Sequence, residues 1–110
     1  MEFKKESLKA EGVRVSVSEN GRELGRATLF LMTNDLHDRP FGLLEDVFVE
    51  EDARGKGVGS ELVGKVIEEA KEKRCYKLIA TSRYSRPKVH EMYERLGFQD
   101  HGKEFRIDFE

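Results

Sequence analysis

The sequence predicts a mixed, mostly antiparallel α/β sheet with helices packed on it and one parallel crossover. Three observations point there. Early segments alternate apolar and polar residues at period two, later segments place apolar residues at helical spacing, and a strand, helix, strand order joins the two regions. The 110 residues suit a single domain, 1–110.

Val13, Val15 and Val17 alternate with Arg14, Ser16 and Ser18, the pattern of a half-buried strand. Asn20-Gly21 tolerates positive φ and predicts a hairpin turn. Leu24–Met32 is the partner strand, with Ala27, Leu29 and Leu31 on one face, and the polar run Thr33–Pro40 reads as a connection. Leu43–Val49 is apolar on both parities apart from Glu45 and Asp46, which predicts a central strand covered on both faces. Glu50–Gly59 is a charged, glycine-rich loop. A helix follows over Ser60–Arg74, with Leu62, Val63, Val66, Ile67 and Ala70 on one face. Tyr76–Ser82 is a fourth long strand. Pro87 at a first helical position and Gly97 just past the end bound a second helix, Pro87–Leu96, with Val89, Met92, Tyr93 and Leu96 in register. Phe105, Ile107 and Phe109 alternate as a last strand.

Hydrophobic residues make up 37% of the chain, enough for a modest core, so stabilisation by a ligand or a homodimer interface is expected. With 20 basic and 22 acidic residues the net charge is −2, which argues against a general nucleic-acid binder. Cys75 is the only cysteine, so no intrachain disulfide forms. No apolar run approaches a membrane span, and the N-terminal residues lack a signal-peptide core. A cytoplasmic protein without membrane partners is the expectation.

Arg54-Gly55-Lys56-Gly57-Val58-Gly59 lies between a strand and a helix start. A helix N-terminus offers unpaired N–H groups and partial positive charge, glycines admit close approach of a ligand, and Arg54 and Lys56 add cationic donors. The spacing is not that of a P-loop, since Gly55-Lys56-Gly57 lacks the Gly-Lys-Ser/Thr ending. It is not a dinucleotide fingerprint either, because Gly59 falls one residue early.

Arg54-x-x-Gly57-x-Gly59, following Val47-Phe48-Val49, resembles the pyrophosphate motif of the GNAT superfamily of N-acetyltransferases, and Tyr93-Glu94-Arg95-Leu96-Gly97-Phe98 is similar to that family's last helix ending. The matches span Leu43 to Phe98. The resemblance implies a splayed sheet with acetyl-CoA in the gap. Backbone around Val47, Phe48 and Val49 would pair with the pantetheine arm, and N–H groups from Gly55 through Val58 and Gly59 to Ser60 would hold the pyrophosphate. Two departures stand out. The tight Asn20-Gly21 turn leaves no room for the helices that relatives carry between their first two strands, so the acceptor side should be open. Arg86 stands where many relatives place an Asn, and Ser85 is the substitute contact.

Acetyl transfer to a primary amine by direct attack requires a neutral amine and a proton for the departing thiolate. Tyr93 is the candidate acid, on the resemblance and on its helix face. Glu45 is the candidate base, because a carboxylate in an apolar strand needs a reason. Asp46 competes, since a β-bulge would exchange their facings. His90 shares the face of Tyr93 and is a weaker candidate. His37 and His101 have no second ligand at metal spacing, so no metal is expected, and Cys75 reads as structural. The acidic Asp35, Asp38, Glu45 and Asp46 suit a cationic acceptor, either a small amine or a protein amine. The competing reading is a CoA-binding regulatory module without turnover.

Overall fold

The computed structural model describes residues 1–110. Strands β1 (Glu11–Glu19), β2 (Arg22–Asn34) and β3 (His37–Val49) form an antiparallel meander. A single 3-10 turn (Glu51–Ala53) precedes helix α1 (Val58–Glu72), strand β4 (Leu78–Ala80) and helix α2 (Pro87–Arg95). The order across the sheet is β1-β2-β3-β4, and only β3 and β4 run parallel. No helix is long and apolar enough to cross a membrane.

The first hairpin turns at Asn20 and Gly21, both at positive φ (55° and 79°), as a right-twisted two-residue turn requires. The expected connection Thr33–Pro40 is a second hairpin instead. β2 and β3 pair as far as Asn34 with His37, and Asn34 Oδ1 accepts the N–H groups of Leu36 and His37 at 2.9 and 3.2 Å. Its polar composition misled because both side-chain faces meet water at this end, while the backbone ladder is indifferent to polarity.

The core lies on one face of the sheet. Ala27, Leu29, Leu31 and Leu44 meet Val63, Val66 and Ala70 of α1, and Leu62 is buried beside them. A Cβ at Gly25 would lie 2.8 Å from Leu62 Cδ1, so glycine lets the helix settle onto the strand. Met92, Tyr93 and Leu96 of α2, with Phe98, pack half-buried against this core.

The opposite face carries no helix. The expectation that β3 is covered on both faces is therefore corrected. Glu45 and Asp46 are exposed, so burial is not what accounts for a carboxylate there. The expected strand Tyr76–Ser82 is shortened to Leu78–Ala80, because β4 leaves β3 after Leu44 pairs with Ala80. The last strand expected at Phe105, Ile107 and Phe109 does not form. The segment pairs with neither free edge of the sheet, β1 nor β4, and the three side chains are 78–93% exposed.

Candidate active site

The parting of β3 and β4 shapes the site. They pair only over Gly42–Leu44 and Leu78–Ala80. From Glu45 to Val49, β3 stays paired to β2 on one side and has no strand on the other. Both helices follow parallel strands, so both begin at the end of the sheet where the strands part, the usual place for a ligand in such folds.

Arg22 clamps Asp52 with two hydrogen bonds of 2.8 and 2.7 Å and fixes the loop after β3. Arg54 Nε donates to Val49 O at 2.9 Å, leaving its terminal nitrogens unpaired. Gly55 and Gly57 adopt φ of 78° and 83°, and Gly57 is the N-cap of α1 with no side chain capping the helix. A groove of about 300 Å³ opens there, lined by Val49, Arg54, Gly55, Gly57 to Ser60, and Ala53, with Lys88 and Met92 from α2. Lys56 projects from the loop into solvent.

Most of the expected cradle therefore converges. Val47 packs on the core side, whereas Phe48 faces the open side beneath Arg26 and Arg54, whose guanidinium carbons stand 4.8 and 5.7 Å from its ring centre. Ser60 Oγ accepts from Arg95 Nη2 at 3.3 Å and ties the two helices together. Ser85 sits in an exposed turn and does not line the groove. Sequence reasoning missed Lys88, whose signal was topological: α2 must begin beside α1. It also missed Ser82, just past β4, whose Oγ is buried without a hydrogen-bond partner.

The three candidate bases separate cleanly. Asp46 has φ of 53° at a register shift opposite Arg26 and Thr28, the bulge that the sequence left open. Arg26 donates to both its oxygens at 2.9 and 3.2 Å and holds this carboxyl below its usual range. His90 Nε2 lies 2.8 Å from Arg83 O and serves to pin the turn before α2. Glu45 has neither an ion-pair nor a hydrogen-bond partner. Tyr93 is pushed above the usual tyrosine range, first by burial and then by the charge of Glu45, so the two side chains sense each other. Tyr93 also contacts Phe98, with ring centres 5.1 Å apart. Cys75, beside Gly42 in the core margin, is raised by burial, in keeping with a packing role.

The sequence matches a family described as "Acetyltransferase (GNAT) family" over residues 2–98. A glucosamine 6-phosphate N-acetyltransferase of Trypanosoma brucei brucei is 36% identical over 89 residues, covering 80% of this chain and 58% of the relative. The chain thus spans little more than half the length of that curated relative. A solved Trypanosoma brucei acetyltransferase superposes with a TM-score of 0.80 at 32% identity, over 89% of this chain and 69% of its own. AAC(6')-Iy, solved with the bisubstrate analog CoA-S-monomethyl-acetylneamine, shares the fold with a TM-score of 0.74 at 19% identity, over 90% of this chain and 69% of its own.

Proposed function

This chain belongs to the GNAT family of acetyltransferases, and from that premise we propose that it transfers an acetyl group from acetyl-CoA to a primary amine by direct attack in a ternary complex. The observation that carries the reading is the unpaired flank of β3 from Glu45 to Val49, opening onto the glycine loop, with Tyr93 near enough to Glu45 to sense its charge. The residues present fit acetyl-CoA. The N-terminus of α1 lacks a cap, Arg54 has free terminal nitrogens, Lys88 faces the same groove, and the Ser82 hydroxyl wants a partner. The cosubstrate brings an activated acyl group on a thiol leaving group.

The chain supplies proton management and alignment. Glu45, free of partners, accepts a proton from the acceptor ammonium, directly or through water. Tyr93, kept protonated by its surroundings, donates to the departing thiolate. The β3 backbone aligns the pantetheine arm as an added strand would lie. The relatives named above are transferases, which favours turnover over a silent CoA-binding module.

The reading extends to a homodimer, which the exposed tail beyond Phe98 supports, and to a cytoplasmic setting, which the free thiol of Cys75 suits. Calorimetry with acetyl-CoA, followed by thiol release across a panel of amines, tests the proposal. Saturable binding with amine-dependent release supports it; no binding at millimolar acetyl-CoA would overturn it.

A further inference from the structure

The open face of the sheet is not uniformly polar. Strand register lines up Gly12, Phe30, Leu43 and Ile79 as one row across all four strands. Met32 opposite Phe41 forms a second apolar pair beside it. The ring of Phe30 is laid over Gly12, where a Cβ would stand 3.3 Å from it. Phe30 and Ile79 are each 37% exposed, so the row is a half-open apolar floor rather than a core. From Phe30 to Ile79 it crosses two strand spacings, about 10 Å, which accommodates a ring or a short alkyl chain. Glu45 follows Leu43 by two residues on the same face, about 7 Å along the strand.

Two of the arginines bordering this floor are paired. Arg14 is held by Glu23 at 2.8 and 2.9 Å, and Arg26 by Asp46. Lys77 lies over the rings of Phe41 and Tyr76, 5.3 Å from each centre. Lys77 and Arg39, which precedes Phe41 by two residues on β3, remain as cations at the far end of the floor, away from Glu45. The free anion next to Leu43 is the carboxylate of Glu45.

We propose that the acceptor is a primary amine carried on an apolar body, lying on Phe30, Leu43 and Ile79 with its ammonium at Glu45. This rests on the reading that Glu45 faces the transfer centre. The chemistry is unchanged: Glu45 takes one proton from the ammonium, the amine nitrogen forms the bond to the acetyl carbon as the carbon–sulfur bond breaks, Tyr93 gives its proton to the thiolate, and the second proton leaving nitrogen restores the Tyr93 hydroxyl.

A homologous series of alkylamines, propylamine to hexylamine, set beside glucosamine 6-phosphate, tests it. Full burial of one methylene is equivalent to roughly fourfold, so kcat/KM should rise about two- to fourfold per carbon on the half-open floor. In Phe30→Thr/Ile79→Thr that slope should flatten. Amide chemical shifts measured with hexylamine alone keep the two proposals apart. Shifts at Phe30, Leu43 and Ile79 without any acetylation would sustain the floor and sink the transfer reading. Acetylation with no such shifts, a flat series, or a preference for the sugar phosphate would overturn the floor. So would a dimer that the double variant dissolves while leaving the series intact, since a second copy would then be the occupant.

Discussion

Glu45 and Asp46 are adjacent, chemically alike and both exposed, yet only Asp46 is tied up by a guanidinium. Alternation along β3 gives each residue a parity, and a single extra residue reverses it. The positive φ of Asp46 marks that extra residue, and no propensity at a non-glycine position announces it. The packing of Tyr93 was legible because helical spacing fixes which face it shares with Met92 and Leu96. Which carboxylate is free was not legible, since it depends on where Arg26 reaches. Two outcomes follow at this scale. Glu45→Gln should lower the ionisation pKa of Tyr93 by removing the neighbouring anion, read as tyrosinate absorbance against pH. Tyr93→Phe should cut kcat by about a hundredfold or more, within the usual range for a general acid, while the calorimetric affinity for acetyl-CoA stays the same.

The glycine loop and the hairpins carry the next lesson. Helix α1 begins at Val58, ahead of the expected Ser60, because Gly57 in the left-handed region turns the chain directly into it. Gly57→Ala should cost about 1–2 kcal/mol for a side chain in that region. It should also weaken acetyl-CoA binding, visible together as a lower melting temperature and a raised Kd. Three ion pairs brace the elements around this loop: Arg14 with Glu23, Arg26 with Asp46 and Arg22 with Asp52. In each the arginine hydrogen bond is the main cause of a depressed carboxylate pKa. The unfolded chain therefore takes up protons first as pH falls. The stabilisation from these pairs is present above the ordinary carboxylate range near about 4 and disappears as pH drops through the folded values. Melting temperature should hold between neutrality and about pH 5 and decline below about pH 4, with high salt blunting the dependence because all three pairs are exposed.

For the molecule as a whole, area and shape tell the same story. The accessible surface is 9418 Å², where a compact monomer of this mass would show about 6,200 Å². The radius of gyration is 16.0 Å against about 13 Å for a compact domain of this length. Residues 1–10 and 99–110 lie outside the sheet and helices, and Phe105, Ile107 and Phe109 keep a strand's alternation while pairing with neither free sheet edge. Their pattern was legible in the sequence; their partner was not, because pattern specifies a face to bury and says nothing of the surface that buries it. If that partner is a second copy, sedimentation should show a dimer that removal of residues 99–110 reduces to monomer. Acetyl-CoA at a hundredfold over its Kd should add about 2.7 kcal/mol, on the order of 10 °C in melting temperature.

Strand β4 is joined to the sheet over three residue pairs, and α2 behind it has no fully buried residue. By contrast, β2 is paired along both flanks for most of its length. A protein so unevenly fastened opens unevenly. Amide protons of Leu78 to Ala80 should exchange with solvent deuterium well before those of Ala27 to Leu31. The wall of the cleft that carries Tyr93 is thus the one expected to open first, while the three-stranded meander stays closed.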